Sequence, residues 1–441
     1  MPRSFYTILR GGTVADHTGV SARDVGITGG KIAEIGNLSQ ASAGETIDAT
    51  GLHVLPGVID TQVHFREPGA THKEDLETGA RAAVLGGVTA VFEMPNTSPL
   101  TIDAAALADK VARAKGRMHC DFAFWVGGTH DNARDIPELE RLPGAAGIKV
   151  FMGSSTGSLL VADDDGIASI LSQTRRRAAF HSEDEYRLDE RKDLRVANDP
   201  SSHPVWRDET VALRSTQRLL RIARENRALI HVLHVSCGEE MDFLVAHKDI
   251  ASVEVTPHHL TLSADDYARL GTKLQMNPPV RGKSHRERLW CALTQGIADI
   301  LGSDHAPHTL EEKAKPYPQS PSGMTGVQTL VPIMLDHVNK GRLSLLRFID
   351  MTSAGPARLF GIAGKGRIAA GYDADFTIVD LKRRETIQNR WIASRCGWTP
   401  YDGVEVTGWP VGTFVRGRKV MWEGELVTPG EGQPVRFLQA L

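Results

Sequence analysis

Asp60-Thr-Gln-Val-His-Phe-Arg-Glu-Pro-Gly69 follows a largely apolar run, residues 52–59, and ends in a Pro-Gly turn signal. The run reads as one buried strand. Side chains alternate along a strand, so Gln62 and His64 are expected on the same side. At the mouth of a barrel that spacing lets two side chains reach one metal ion. Arg66 follows, a fixed cation suited to holding a carboxylate in bidentate fashion. A metal ligand and an anion clamp are therefore expected within a few residues of each other. Gln62 is the odd member, because a second histidine would make the stronger site.

Downstream of this stretch, strands alternate with helical segments, the signature of βα units and a parallel sheet. Strands are expected at 57–63, 88–94, 121–126, 147–152, 178–181, 229–235, 252–256 and 298–302. A helix is expected over 74–85, stopped by Gly86-Gly87. Eight such units predict an α/β fold, a (β/α)8 TIM barrel. Both ends of the chain have a β texture. Strands are expected at 6–9, at 25–28 and 31–35 around Gly29-Gly30, and at 46–50. After Phe360 come a turn and alternating strand in 366–380 and a hairpin in 411–427 with Gly417 near its turn. The expected organisation is an N-terminal part of a β-sandwich domain (1–56), the barrel (57–362), and the C-terminal part of the same sandwich (363–441).

Composition excludes several classes. The 441 residues are 41% hydrophobic and 24% charged with a formal net charge of −3, so no polyanion partner is implied. Arg175-Arg-Arg177 is too short to argue nucleic acid and reads as a solvated helix face. The four cysteines, Cys120, Cys237, Cys291 and Cys396, form no CxxC pair. The first residues carry no signal-peptide pattern, and no apolar run approaches the ~20 residues that cross a bilayer. A cytoplasmic protein is expected.

Barrel active sites lie at the C-terminal ends of the strands. His64 follows the first strand and Asn96 the second. Lys149 lies in the fourth, and His181 and His234 end the fifth and sixth. His258 and His259 follow the seventh; Asp304, His305 and His308 follow the eighth. One strand-end histidine is more often structural than a ligand; several, with an aspartate, converge on one mouth. Imidazole and carboxylate suit zinc and similar divalent ions, which supply hydroxide near neutral pH. Lys149, in the apolar strand Gly-Ile-Lys-Val-Phe-Met, has two readings. It snorkels to the rim, or it is carbamylated by CO2 to give a carboxylate that bridges two metals. Gly153-Ser-Ser-Thr-Gly157 reads as a plain loop more readily than as an anion cradle. Residues 309–326, with two prolines around Tyr317, read either as a mobile loop bordering the site or as ordinary surface.

Six stretches in order resemble the dihydroorotases of the amidohydrolase superfamily. They are His64-Phe-Arg-Glu-Pro-Gly69, Met94-Pro-Asn-Thr97, His234-Val-Ser236, Glu254-Val-Thr-Pro-His-His-Leu260, Met276-Asn-Pro-Pro279 and Ser303-Asp-His-Ala-Pro-His308. The run 366–375 resembles the superfamily's returning β-domain. The resemblance implies reversible interconversion of N-carbamoyl-L-aspartate and L-dihydroorotate in pyrimidine synthesis, with metal-bound hydroxide attacking the ring amide. It implies Asp304 as metal ligand and proton shuttle, and His64, Lys149, His181 and His234 as the other ligands, around one or two zinc ions. It implies Arg66, Asn96 and His308 on the substrate carboxylate, and Asn277 with the backbone near Ser322 and Gly323 on the ring. His258 and His259 are expected to be structural. A homodimer, and an association with aspartate transcarbamoylase, also follow from the resemblance alone.

The departure is Gln62, since the family pattern is Asp-x-His-x-His. It keeps two alternatives open. One is a catalytically weak partner of aspartate transcarbamoylase. The other is a cyclic-amide hydrolase for uncharged rings, an allantoinase or hydantoinase, which shares the ligands but has no use for a carboxylate clamp.

Overall fold

The computed structural model describes residues 4–155 and 159–440. Thr156 and Gly157 of the glycine-serine run lie outside them. Eight parallel strands run in chain order around a barrel: Val58–Val63, Val88–Glu93, Asp121–Gly127, Ala145–Phe151, Ala178–His181, Ile230–Val232, Ala251–Val255 and Ile300–Leu301. Each pairs with the next, and a bridge between Val63 and His305, with His64 N donating to His305 O at 2.7 Å, closes the ring. The helices between strands follow local signals. Asp75 caps Leu76–Leu85 through a capping box with Thr78, and the helix ends at Gly86. A Cβ at Gly86 would lie 2.5 Å from Gln328 O, so the stop is also a close-packing point.

The two chain ends form a β-sandwich beside the barrel. Its four-stranded sheet holds Ser4–Arg10, Asp24–Thr28, Lys31–Gly36 and Ser42–Asp48. Its seven-stranded sheet joins N-terminal strands Thr13–Asp16, Gly19–Ala22 and His53–Pro56 to C-terminal strands Phe376–Thr386, Glu405–Val415, Arg418–Trp422 and Glu425–Leu426. Val25, Ile27, Ile47, Val54, Phe376, Ile378 and Phe414 belong to one buried apolar cluster between them. The hairpins at Gly29-Gly30 and Arg416-Gly417 have positive φ at both central residues, as two-residue hairpin turns require. Lys365 bridges sandwich and barrel, with Nζ 2.6 Å from both Asp375 and Asp121.

Two expectations are corrected. Residues 52–59 are not one strand. They break at Gly57 into His53–Pro56, paired with Phe376–Val379 in the sandwich, and Val58–Val63 in the barrel. A Cβ at Gly57 would lie 2.3 Å from Thr89 Oγ1, so only glycine fits this passage between sheets. The arginines 175–177 are not a solvated helix face. They follow the helix Asp164–Gln173 and precede the fifth strand. Arg176 is buried, donates to Glu140 O and Ala145 O, and stacks 4.1 Å from the Phe437 ring centroid.

The barrel interior is apolar at one end and polar at the other. Ile59, Phe92, Ala123, Trp125, Ala146 and Ala179 fill the N-terminal end, where Phe360, Val435 and Phe437 close it. Polar side chains occupy the opposite end. Among the described residues, no helix is long and apolar enough to cross a membrane.

Candidate active site

The first strand slips in register against the second between Asp60 and Val63. A slip of this kind re-aims side chains. Thr61 donates to Glu254 across the barrel, and yet Gln62 and His64 also face the interior, where they line one cavity. Asp60 secures this segment: its Oδ1 accepts from Ser303 N at 3.0 Å and Gln62 N at 3.2 Å. Burial pushes the Asp60 carboxyl up to about 7.

The cavity is lined by Gln62, His64, Arg66, Lys149, His181, His234, Asn277, Asp304, Ser322 and Gly323, all expected from the sequence. Phe151, Ser155, Met276 and Ala306 complete the lining. Seven non-glycine described residues have positive φ, and three of them are Arg66, His234 and Asp304. Such backbone costs about 1–3 kcal/mol per residue, and three cases in one cavity mark where packing imposes geometry.

Two groups of donors face each other across the mouth. On one side His181 Nδ1 and His234 Nε2 point at one another, 3.0 Å apart. Glu183 Oε2 lies 2.9 Å from His181 Nε2 and fixes that ring, and Arg207 holds Glu183 through a 2.6 Å ion pair. An acceptor on Nε2 leaves Nδ1 as the lone-pair nitrogen. His234 Nδ1 is buried with no hydrogen-bond partner. On the other side, Asp304 Oδ1 lies 3.0 Å from Gln62 Nε2 and 3.3 Å from His64 Nε2. His64 Nδ1 meets Asn96 Oδ1 at 2.9 Å. Burial holds His64, His181 and His234 below the usual imidazole range, which keeps them in the neutral, ligating form. Burial pushes Asp304 up to about 7, against the pull of His181, Lys149 and Arg66.

Lys149 is 1% exposed, and its Nζ reaches only Val150 O at 3.4 Å and the Phe151 ring face. It does not snorkel to water. Burial holds its amine well below the usual ammonium range. Among the described residues, no three His, Cys, Asp or Glu side chains are placed to hold one metal ion. A metal on the facing imidazoles of His181 and His234 needs a third donor, and the remaining polar groups there are Lys149 and Asp304. The two facing ring nitrogens and the oriented His181 ring fit such an ion.

Arg66 sits at the cavity edge, 5% exposed. Its Nε donates to Pro307 O at 3.2 Å, and Nη2 lies 3.3 Å from His308 Nε2. It pairs with neither Glu67 nor Glu93, because Arg117 takes the first and Lys110 the second. Among the described residues no carboxylate lies within ion-pair distance of Arg66. His308 does not line the cavity; it lies 3.0 Å from Ser322 O and 3.1 Å from Lys73 Nζ. Asn96 also stands outside it, against His64, and lines a neighbouring groove with Arg66. Asn277 Oδ1 is 2.9 Å from His203 Nε2. The 309–326 segment borders the site through Ser322 and Gly323 and is tied down: Gly323 N donates to Gln275 O at 2.8 Å and Lys313 Nζ to Pro321 O at 2.7 Å. His258 and His259 pack on each other away from the cavity, and His231 bonds Ser252 beneath it.

Four partners escaped sequence reasoning. Glu183 had a signal, since it lies two residues beyond His181 and so on the same side of an extended chain. Lys73, His203 and Arg207 had none, being neither strand-end residues nor part of a motif.

Residues 53–420 match the amidohydrolase family. The chain is 38% identical over 439 residues to a dihydroorotase of Halobacterium salinarum, covering 97% of this chain and 99% of that one. It is 32% identical to an allantoinase of Deinococcus radiodurans over 97% of this chain and 98% of that one. Among solved structures it superposes on the L-hydantoinase (dihydropyrimidinase) from Arthrobacter aurescens with TM-score 0.94 and 31% identity, covering 98% and 99% of the two chains.

Proposed function

The chain belongs to the amidohydrolase family, a family of metal-dependent hydrolases, and from that premise we propose that it is a dihydroorotase. The observation that carries the choice of substrate is Arg66, a buried cation with no carboxylate partner among the described residues. Leaving such a charge unpaired is costly, so its site is built for an anion brought by the substrate. Dihydroorotate carries a ring carboxylate; allantoin and simple hydantoins do not.

The reading assigns the residues as follows. Arg66 takes the substrate carboxylate, with His308 and Asn96 beside it, and Asn277 and the backbone at Ser322 and Gly323 take the ring. His181, His234 and Lys149 hold a metal, zinc by donor chemistry, with His64 and Asp304 facing a second place. A buried Lys149 Nζ with no carboxylate within ion-pair distance among the described residues supports carbamylation by CO2. A divalent ion held there would supply Lewis acidity toward the ring amide and hydroxide at neutral pH. In the ring-opening direction, oxygen bonds to the carbonyl carbon and the carbon–nitrogen bond breaks. Asp304 takes a proton from the attacking oxygen and passes it to the departing nitrogen, which becomes the terminal NH2 of the carbamoyl group. The buried cavity limits the water that reaches the reacting amide. A homodimer and an association with aspartate transcarbamoylase belong to the same reading and rest on the resemblance alone.

The test is turnover of dihydroorotate and of the uncharged ring dihydrouracil by the purified protein, with Asp304→Asn as the inactive control. Arg66→Met is expected to raise KM for dihydroorotate roughly 100-fold, the worth of a lost charge-assisted hydrogen-bond pair, and to leave dihydrouracil little changed. Turnover of uncharged rings alone, or an equal loss on both, would refute the clamp.

A further inference from the structure

The two donor groups at the barrel mouth are not equivalent, and Gln62 makes the difference. His181 and His234 present two ring nitrogens to one point, and Glu183 and Arg207 fix the His181 ring from behind. The other group has a single imidazole, His64. Its carboxylate, Asp304, is already engaged, since Gln62 donates its amide N–H to Asp304 Oδ1 at 3.0 Å. The same oxygen faces His64 Nε2 at 3.3 Å. Gln62 Oε1, the only atom of that side chain able to ligate a cation, is buried and bonded to nothing. As a ligand Oε1 is a neutral amide oxygen, a weaker donor to zinc-like ions than imidazole.

We propose that this chain holds one tight divalent metal per molecule, on His181, His234 and Lys149. Gln62 keeps the place between His64 and Asp304 weak by satisfying Asp304 with an amide N–H. This rests on the amidohydrolase reading of the cavity and narrows its metal count. The amide has a positive role in that arrangement. It holds the Asp304 carboxylate by an N–H bond, the constraint that a second ion would otherwise supply.

The experiment is metal stoichiometry and affinity, read by elemental analysis after dialysis and by competition with a chromophoric chelator for zinc. One tight zinc per chain is expected in the native protein. His64→Ala is expected to keep it and His234→Ala to lose it. Gln62→His is expected to bind a second zinc at least about 100-fold tighter than the native protein does, beyond the 10–100-fold that orienting partners alone contribute. Circular dichroism checks that each variant is folded, and the native count stands without them. Two equally tight zinc ions in the native protein, none at all, or loss of the tight ion in His64→Ala would overturn the proposal. Dihydroorotate turnover is measured on the same sample. One tight zinc without turnover would leave the metal assignment standing and reject the substrate reading; turnover with two would do the reverse.

Discussion

Glu183 holds two partners at once, and removing it has consequences that separate in measurement. It is fully buried. Its Oε2 accepts from Arg207 Nη2 at 2.6 Å and faces His181 Nε2 at 2.9 Å, while Oε1 takes Arg207 Nε at 3.1 Å. Glu183→Leu strands the Arg207 guanidinium, which is 2% exposed, and strands the His181 N–H. Breaking a buried pair costs about 3–5 kcal/mol. Arg207 keeps its 2.6 Å bond to Ser154 O, so the low end, about 3 kcal/mol, applies. The unsatisfied His181 N–H adds about 1 kcal/mol or more. The single variant should therefore lose about 4 kcal/mol, measured as the shift in the barrel's denaturation transition on metal-stripped protein. Glu183→Leu with Arg207→Met removes both charges, and apolar replacement of a whole buried pair is often neutral. The double variant should recover all but the His181 contribution. Metal affinity should not recover, because the ring remains unoriented in both, and should stay down by about 10–100-fold. A single variant within about 1 kcal/mol of native, or a double variant that restores affinity together with stability, would refute this account of the His181 ring.

Two further outcomes follow from buried charge away from the mouth. Lys110 and Glu93, each 1% exposed, form an ion pair packed on the Phe124 ring. Lys110→Met should cost about 3–5 kcal/mol at pH 8 in chemical denaturation. The loss should shrink below neutrality as Glu93, already pushed up to about 7 by burial, takes a proton; a pH-independent loss would count against the pair. Glu240 is likewise pushed up to about 7 by burial while Thr216 donates to it at 2.6 Å. A raised carboxyl favours the folded state below its unfolded value near 4.5, and that contribution is lost as pH rises to about 7. Native stability should therefore fall more steeply between pH 4.5 and 7 than that of Glu240→Gln, by on the order of 3 kcal/mol across the window. Parallel pH profiles would show that Glu240 is not the group responsible.

What the chain determines locally, its sequence states openly. The alternation of short apolar runs with capped helices placed all eight barrel strands. Because a parallel barrel gathers its strand ends at one mouth, it also placed His64, Lys149, His181, His234 and Asp304 together. Gly29-Gly30 and Gly417 were legible as turns for the same reason, since freedom to take positive φ is a property of glycine itself. The tertiary structure decided what depends on partners far along the chain. The run 52–59 divides between two sheets because Phe376–Val379 claims one half and Val88–Glu93 the other, a contest that no pattern within eight residues can report. Arg176 is buried because Phe437, some 260 residues later, closes the barrel above it. Arg207 reaches Glu183, and Lys73 reaches His308, through contacts that leave no periodic trace. Gln62 shows both limits. Its sequence position announced a weakened metal ligand. Only packing against Asp304 revealed which end of the amide meets that carboxylate, because a glutamine's two ends differ in hydrogen-bond sense and the neighbour it meets selects between them.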